Sequence, residues 1–76
     1  MGRLPSFTAR DLIRVLNDLG FESIRQSGSH IFFQHPDGRT TVVPNHPGED
    51  LGRGLLRQIL REIKLTPQEF IELKRK

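Results

Sequence analysis

The sequence predicts an α+β fold, a three-stranded antiparallel sheet with helices on one face, in the order α-β-β-β-α-α. Two observations favour this fold. Apolar residues recur at helical spacing near both ends of the chain, and the segment between them consists of β-prone runs separated by turn-forming residues. A chain of 76 residues has room for one domain, so we expect residues 1–76 to form a single domain.

The first helix is predicted over residues 8–19. Thr8 can act as its N-cap, and Asp11 three residues later completes a capping box. Gly20 supplies the left-handed residue that ends many helices, and Phe21 beyond it can pack back on the last turn. One face of this helix is apolar and is expected to face the core; it consists of Ala9, Leu12, Ile13, Leu16 and Leu19.

Three strands are predicted next, at residues 21–26, 30–35 and 40–43. The turn-prone residues 27–29 separate the first two strands, and the Asp-Gly pair at residues 37–38 indicates a hairpin. Pro44 ends the third strand. Side chains alternate between the two faces of a strand. The second strand should therefore direct Ile31 and Phe33 to the core, and His30, Phe32 and Gln34 to an open face.

Two further helices are predicted after a loop at residues 44–50. The second helix has an apolar stripe formed by Leu55, Leu56, Ile59, Leu60 and Ile63. The third helix begins with Thr66 as N-cap, Pro67 at the first helical position and Glu69 two residues later, and it extends to Leu73.

The composition excludes several classes of function. The chain has no cysteine, which rules out disulfides, thiol catalysis and cysteine-ligated metals. No apolar run approaches the roughly 20 residues that span a bilayer, so we expect a cytoplasmic protein without a membrane segment. Residues 1–6 match the bare myristoylation pattern, which is short enough to occur by chance. The formal net charge of +3 favours a polyanionic or acidic partner.

His30 is the side chain best suited to catalysis. It follows Gly28 and Ser29, where the glycine permits close approach of a phosphate and the serine can hydrogen-bond one. Its imidazole can take the 2′-hydroxyl proton of RNA as a general base, after which that oxygen attacks the adjacent phosphate. This chemistry needs no metal ion. The alternative interpretation is a solvated histidine at the end of a strand.

Neither a metal site nor another cofactor is expected. His30 and His35 lie on opposite faces of one strand, so they cannot share a metal ion. We interpret His35 as structural. His46 lies in the loop after the sheet, where it is a candidate contact to nucleic acid and a candidate general acid.

A basic stripe is predicted on the second helix. Arg53, Arg57 and Arg61 recur every four residues, and Lys64 lies on the same flank. Such a stripe can follow a phosphate backbone, bind an acidic protein or form a solvated face. The three arginines are therefore candidate RNA contacts.

Several short motifs follow one another along the chain: Gly28-Ser29-His30, Phe33, Asp37-Gly38-Arg39, Pro44-x-His46 and Gly54-x-Leu56. With these motifs the chain resembles the HicA toxins, over a match from Leu4-Pro5 to Leu65-Thr66. The resemblance implies a fold similar to double-stranded-RNA-binding domains, cleavage of mRNA, and a requirement for the histidine of the Gly-Ser-His motif, here His30. It also implies a HicB-like antitoxin that binds the toxin and masks its active site.

The chain departs from the HicA pattern at two places. Leu55 stands where the family commonly has threonine, which removes one hydroxyl from the start of the second helix. The family tends to end soon after that helix, whereas here the residues from Pro67 onward add a third one. This extension can pack on the core or bind the antitoxin.

The leading hypothesis is a metal-independent endoribonuclease, the toxin of a type II toxin–antitoxin pair, that depends on His30. Two alternatives stay open. The chain can be a non-catalytic RNA-binding module of the same fold, or a degenerate toxin retained as a protein-interaction domain.

Overall fold

A computed structural model describes residues 7–75 of the chain. The myristoylation-like segment at residues 1–6, the Leu4-Pro5 start of the resemblance and the last residue lie outside this range. In chain order the elements are β1 (Phe7–Thr8), α1 (Ala9–Leu19), β2 (Glu22–Ser27), β3 (His30–Gln34), β4 (Thr40–Pro44), β5 (Asp50–Leu51), α2 (Arg53–Glu62) and α3 (Pro67–Lys74).

The architecture confirms the predicted α-β-β-β-α-α arrangement. Strands β2, β3 and β4 form one antiparallel sheet in that order. The sequence pattern does not predict a second sheet of two strands, in which β1 pairs with β5 and Phe7 lies opposite Leu51. Two-residue strands are too short to show an alternation of apolar and polar residues, and these two lie far apart in the chain.

Four strand limits differ from the prediction, and one of them is the end of β2, which extends to Ser27. Phe21 is buried and precedes β2, and β3 ends at Gln34. Strand β4 includes Pro44, which lies opposite His30. The N–H of Asn45 bonds the carbonyl of Ser29 at 2.7 Å, so the alternation of an antiparallel ladder turns the nitrogen of Pro44 toward the free edge of β4. Proline is tolerated there because its missing N–H leaves no ladder bond unmade.

Local capping interactions fix both ends of α1, as predicted. The Thr8 hydroxyl accepts the N–H of Asp11, and the Asp11 carboxylate accepts the N–H of Thr8, both at 3.2 Å. At the other end Gly20 has φ 100°. The N–H of Phe21 donates to the carbonyl of Leu16 at 2.9 Å, which is the hydrogen bond of a Schellman motif that spans more residues.

The core lies between one face of the three-stranded sheet and the helices. Phe33 and Val43 project into it from β3 and β4. The helices contribute the buried residues Leu12, Val15, Leu16, Leu56, Ile59, Leu60 and Phe70. In residues 7–75, every helix falls short of the length and hydropathy that a bilayer-crossing helix needs.

The third helix packs on the core. Phe70 is fully buried, and its ring meets that of Phe7 edge-on with the centroids 4.8 Å apart. Near the end of α3, the carbonyl of Lys74 accepts a hydrogen bond from Arg14 at 2.7 Å, and the Lys74 ammonium lies 3.8 Å from Asp11. These contacts attach the C-terminal helix to α1.

Exchanging Gly20 for alanine is expected to destabilise the fold by about 1–2 kcal/mol, because a side chain strains the left-handed conformation. The added Cβ would also lie 3.2 Å from Nε2 of His35. The matched control is Gly54→Ala in α2, where nothing lies within 4 Å; alanine should stabilise that helix by about 0.5–1 kcal/mol. Urea unfolding of both variants measures the difference, and a shift of the same sign in both contradicts this account.

Candidate functional site

The Gly28-Ser29 turn presents His30 at the start of β3. Gly28 has φ 60°, and its carbonyl accepts a hydrogen bond from the side-chain amide of Gln26 at 3.0 Å. The carbonyl of Ser29 accepts the N–H of Asn45 at 2.7 Å. The turn is therefore held to β2 on one side and to the end of β4 on the other, which fixes the backbone from which the His30 side chain projects.

The His30 imidazole lies on the open face of the sheet. His30 is exposed and lies opposite Ser27 on β2 and Pro44 on β4. Within residues 7–75 its ring makes no hydrogen bond and no ion pair. Both ring nitrogens are therefore available to a ligand, and one of them can accept a proton in the neutral ring.

His35 is, by contrast, fully engaged in the fold. Its Nε2 lies 3.0 Å from the carbonyl of Leu19, and its Nδ1 accepts the N–H of Asp37 at 3.1 Å. A proton on Nε2 allows that nitrogen to donate to the Leu19 carbonyl, and Nδ1 also lies 3.0 Å from the Asp37 carboxylate. The ring also packs on Phe21, with centroids 5.0 Å apart. His35 thus connects the end of α1 to the hairpin, consistent with the structural role expected from the sequence.

The Asp37-Gly38-Arg39 motif also serves the fold. The Arg39 Nε donates to the Asp37 carboxylate at 2.8 Å, and a terminal nitrogen of the same guanidinium donates to the carbonyl of Ile63. This guanidinium is the main reason that the pKa of Asp37 is lowered. The guanidinium carbon lies 5.1 Å from the centroid of the Phe21 ring. Arg39 therefore joins the hairpin to the end of α2.

The two histidine-containing motifs of the resemblance meet at one end of the sheet. The backbone bond between Asn45 and Ser29 places the Pro44-Asn45-His46 segment beside the Gly28-Ser29-His30 turn. His46 is exposed, and the carbonyl of His46 accepts the N–H of Glu49 at 3.1 Å. The structure therefore brings the loop of His46 close to the turn that carries His30.

An open groove connects the open face of the sheet to α2. The sheet contributes Ile24, His30, Phe32, Val42 and Pro44, and α2 contributes Leu55, Gln58, Ile59 and Glu62. We call this the open-face groove. The carboxylate of Glu62 accepts a hydrogen bond from the buried Thr41 hydroxyl at 2.7 Å, which fixes the spacing between β4 and α2.

The three arginines of the basic stripe lie on a different flank of α2 from the groove. Lys64, predicted on the flank of the arginines, instead lies beyond the end of α2 and lines the groove. Arg53, Arg57 and Arg61 are exposed along one side of the helix. The flank that lines the open-face groove carries Leu55, Gln58 and Glu62. At 3.6 residues per turn, the centres of these two flanks lie about 130° apart around the axis of α2. The structure thus does not bring the three arginines together with His30, and their contact to RNA or to an antitoxin stays a prediction.

Sequence reasoning did not identify Arg25 as a site residue. Arg25 lies opposite Phe32 in the sheet, and its guanidinium carbon is 4.3 Å from the centroid of the Phe32 ring. This pairing depends on a register shift in β2 between Ser23 and Arg25. The alternation along β3 predicts that Phe32 faces outward, but the register shift that brings Arg25 opposite it has no sequence signal.

In residues 7–75, no three His, Asp or Glu side chains gather into a group that could hold a metal ion. The site consists of an exposed imidazole, a fixed turn and an open groove beside them.

A family model described as the HicA toxin of bacterial toxin-antitoxin matches residues 9–65. The chain belongs to the HicA toxin family. The match confirms the resemblance carried by the motifs and assigns this HicA chain a toxin role, paired with an antitoxin.

The span matched by the HicA model contains every candidate residue of the site, from Gly28 to Arg61. It ends at Leu65, so α3 lies beyond the matched part of the chain. No curated protein matches this HicA chain.

Proposed function

We propose that this HicA chain is a metal-independent endoribonuclease that cleaves mRNA, with His30 as the group that moves the proton. The observation that carries the proposal is the exposed His30 imidazole, which has no partner in residues 7–75 and projects from a fixed turn. Membership in the HicA toxin family supports it, because destruction of transcripts would account for a toxic effect.

The proposed reaction is an intramolecular transfer at phosphorus. A ring nitrogen of His30 takes the proton of a ribose 2′-hydroxyl, and the 2′-oxygen bonds to the adjacent phosphorus. The bond from phosphorus to the 5′-oxygen breaks, and that oxygen takes a proton from water or from a second side chain, for which His46 is the candidate. The products are a 2′,3′-cyclic phosphate and a 5′-hydroxyl end. DNA is spared because it lacks the nucleophile.

The turn before His30 suits a phosphate. A Cβ added at Gly28 would meet nothing within 4 Å, so the backbone there is open to close approach. The Ser29 hydroxyl is a candidate donor to a phosphate oxygen. We further propose that a HicB-like antitoxin covers this end of the sheet, and that the toxin acts in the cytoplasm, where its mRNA substrate is found.

The basic flank of α2 favours a second candidate function, a non-catalytic RNA-binding module. Arg53, Arg57 and Arg61 can neutralise phosphates without any contribution from His30. In this second function the chain binds RNA with a steep salt dependence and leaves it intact.

Incubation of the protein with a long single-stranded RNA in excess EDTA tests the proposal. We expect cleavage to products with 2′,3′-cyclic phosphate and 5′-hydroxyl ends, and no cleavage of the same sequence as 2′-O-methyl RNA. Cleavage of the methylated RNA, or products with 5′-phosphate ends, would contradict the proposed chemistry. Binding without cleavage would support the RNA-binding module.

A further inference from the structure

The open face carries an aromatic ring and a guanidinium in contact, next to His30. Phe32 is two residues from His30 on β3 and shares its face. Phe32 is half-buried, and the exposed Arg25 places its guanidinium carbon 4.3 Å from the ring centroid. Within residues 7–75, Arg25 makes no hydrogen bond and no ion pair. Its donors are therefore free, while its guanidinium lies over the ring.

Two rows of opposed residues make up this part of the face. Ser27, His30 and Pro44 form the first row, and Arg25, Phe32 and Val42 form the second. These six residues include a guanidinium and an imidazole, and none of them is acidic. Glu22 lies one row further away, opposite Gln34. The two rows thus combine flat side-chain groups with the positive charge of Arg25, which complements a polyanion.

We propose that Phe32 and Arg25 form a base-binding platform, on which an unpaired nucleobase next to the scissile phosphate stacks. Unpaired bases in RNA stack on aromatic rings and on guanidinium planes, and both surfaces are present here. Residues two apart on a strand are separated by about 6.6 Å, so a base on the platform leaves its own sugar and phosphate within reach of His30. The platform therefore holds the substrate strand in position for attack.

The platform rests on the proposed function, because it takes RNA as its ligand. It adds that the substrate is single-stranded at the cleavage point, since a paired base keeps both of its faces inside a helix. Recognition by stacking also predicts weak dependence on base identity, because every base has a flat face. The open-face groove, which Phe32 itself lines, has a volume of about 1050 Å³, which leaves room for more than one nucleotide.

Binding of a single-stranded 2′-O-methyl RNA to Phe32→Ala, Phe32→Trp and the unmodified protein tests the platform without cleavage. We expect Phe32→Ala to bind about 5- to 150-fold more weakly, the loss that corresponds to one stacked base. Phe32→Trp should bind at least as tightly as the unmodified protein. The slope of affinity against salt should not change in Phe32→Ala, because no phosphate contact is removed. Arg25→Lys keeps the positive charge but removes the planar guanidinium group, and it should also weaken binding of the RNA.

Three results would overturn the platform: equal binding by Phe32→Ala, equal loss in Phe32→Ala and Phe32→Trp, or no binding of the probe by the unmodified protein. Loss of antitoxin binding alone in Phe32→Ala would assign the face to a protein partner instead. Cleavage of unmethylated RNA is scored separately. If the unmodified protein cleaves RNA but Phe32→Ala binds the probe normally, only the platform is refuted. If the unmodified protein never cleaves RNA but Phe32→Ala binds the probe more weakly, only the ribonuclease proposal is refuted.

Discussion

Replacement of His30 by alanine is expected to lower the rate of RNA cleavage by about 10²- to 10⁴-fold, the contribution typical of one general base. His35 is not expected to replace the lost imidazole, because its ring is held by Leu19 and Asp37. Loss of the imidazole should leave RNA binding largely intact, since the proposed phosphate and base contacts come from other residues. Single-turnover cleavage in excess EDTA measures the rate, and binding to 2′-O-methyl RNA measures the affinity.

The fold should tolerate this change. His30 is exposed, and its side chain makes no hydrogen bond or ion pair in residues 7–75, so stability should change by no more than about 0.5 kcal/mol. Gln34→Ala is the matched control, because Gln34 is exposed on the same strand and the same face. Its cleavage rate should equal that of the unmodified protein. A similar loss of rate in Gln34→Ala would point to a general disturbance of β3 instead of catalysis by His30.

Replacement of Phe70 by alanine is expected to destabilise the protein by about 3–5 kcal/mol, the cost of removing a fully buried phenyl ring. Phe70 is 0% exposed, and it packs edge-on against Phe7. Because small domains are stable by only about 5–15 kcal/mol, this single change should remove a large part of the stability. Chemical denaturation followed by circular dichroism measures the free energy of unfolding.

The control for Phe70 lies on the same helix. Glu72 is exposed, so Glu72→Ala should change the stability by no more than about 0.5 kcal/mol. If Phe70→Ala were equally mild, α3 would be only loosely attached to the core, which would contradict the packing described above.

Features set by neighbouring residues could be predicted from the sequence. The capping box at Thr8, the helix start with Thr66 as N-cap and the left-handed end at Gly20 depend on residues within one turn of a helix, and all three are present. The alternation along β3 correctly predicted that Phe33 is buried and that His30 is exposed. The Asp-Gly signal for the hairpin is local in the same way, and it was correct.

Features that join distant segments could not be predicted. The pairing of Phe7 with Leu51 and the bond from Arg39 to the Ile63 carbonyl connect residues that no local pattern relates. The four-residue spacing of the arginines on α2 predicts a shared flank. It does not predict that this flank lies outside the open-face groove, because that depends on how α2 packs against β4.

The contact between Arg25 and Phe32 could not be predicted either, although both residues lie in the same sheet. Strict alternation would place Arg25 and Ser23 on one face of β2, but the register shift between them puts Arg25 opposite Phe32. A shift of one residue reverses the faces of a strand, and nothing in the sequence marks its position.

One comparison tests most directly whether this HicA chain is a ribonuclease that depends on His30. The unmodified protein and His30→Ala are incubated at equal concentration with the same single-stranded RNA in excess EDTA, while binding of both to the 2′-O-methyl form is measured in parallel. We predict equal binding, with cleavage by the unmodified protein alone. Equal cleavage by both proteins would remove His30 from the mechanism, and equal binding with cleavage by neither would make the chain an RNA-binding module.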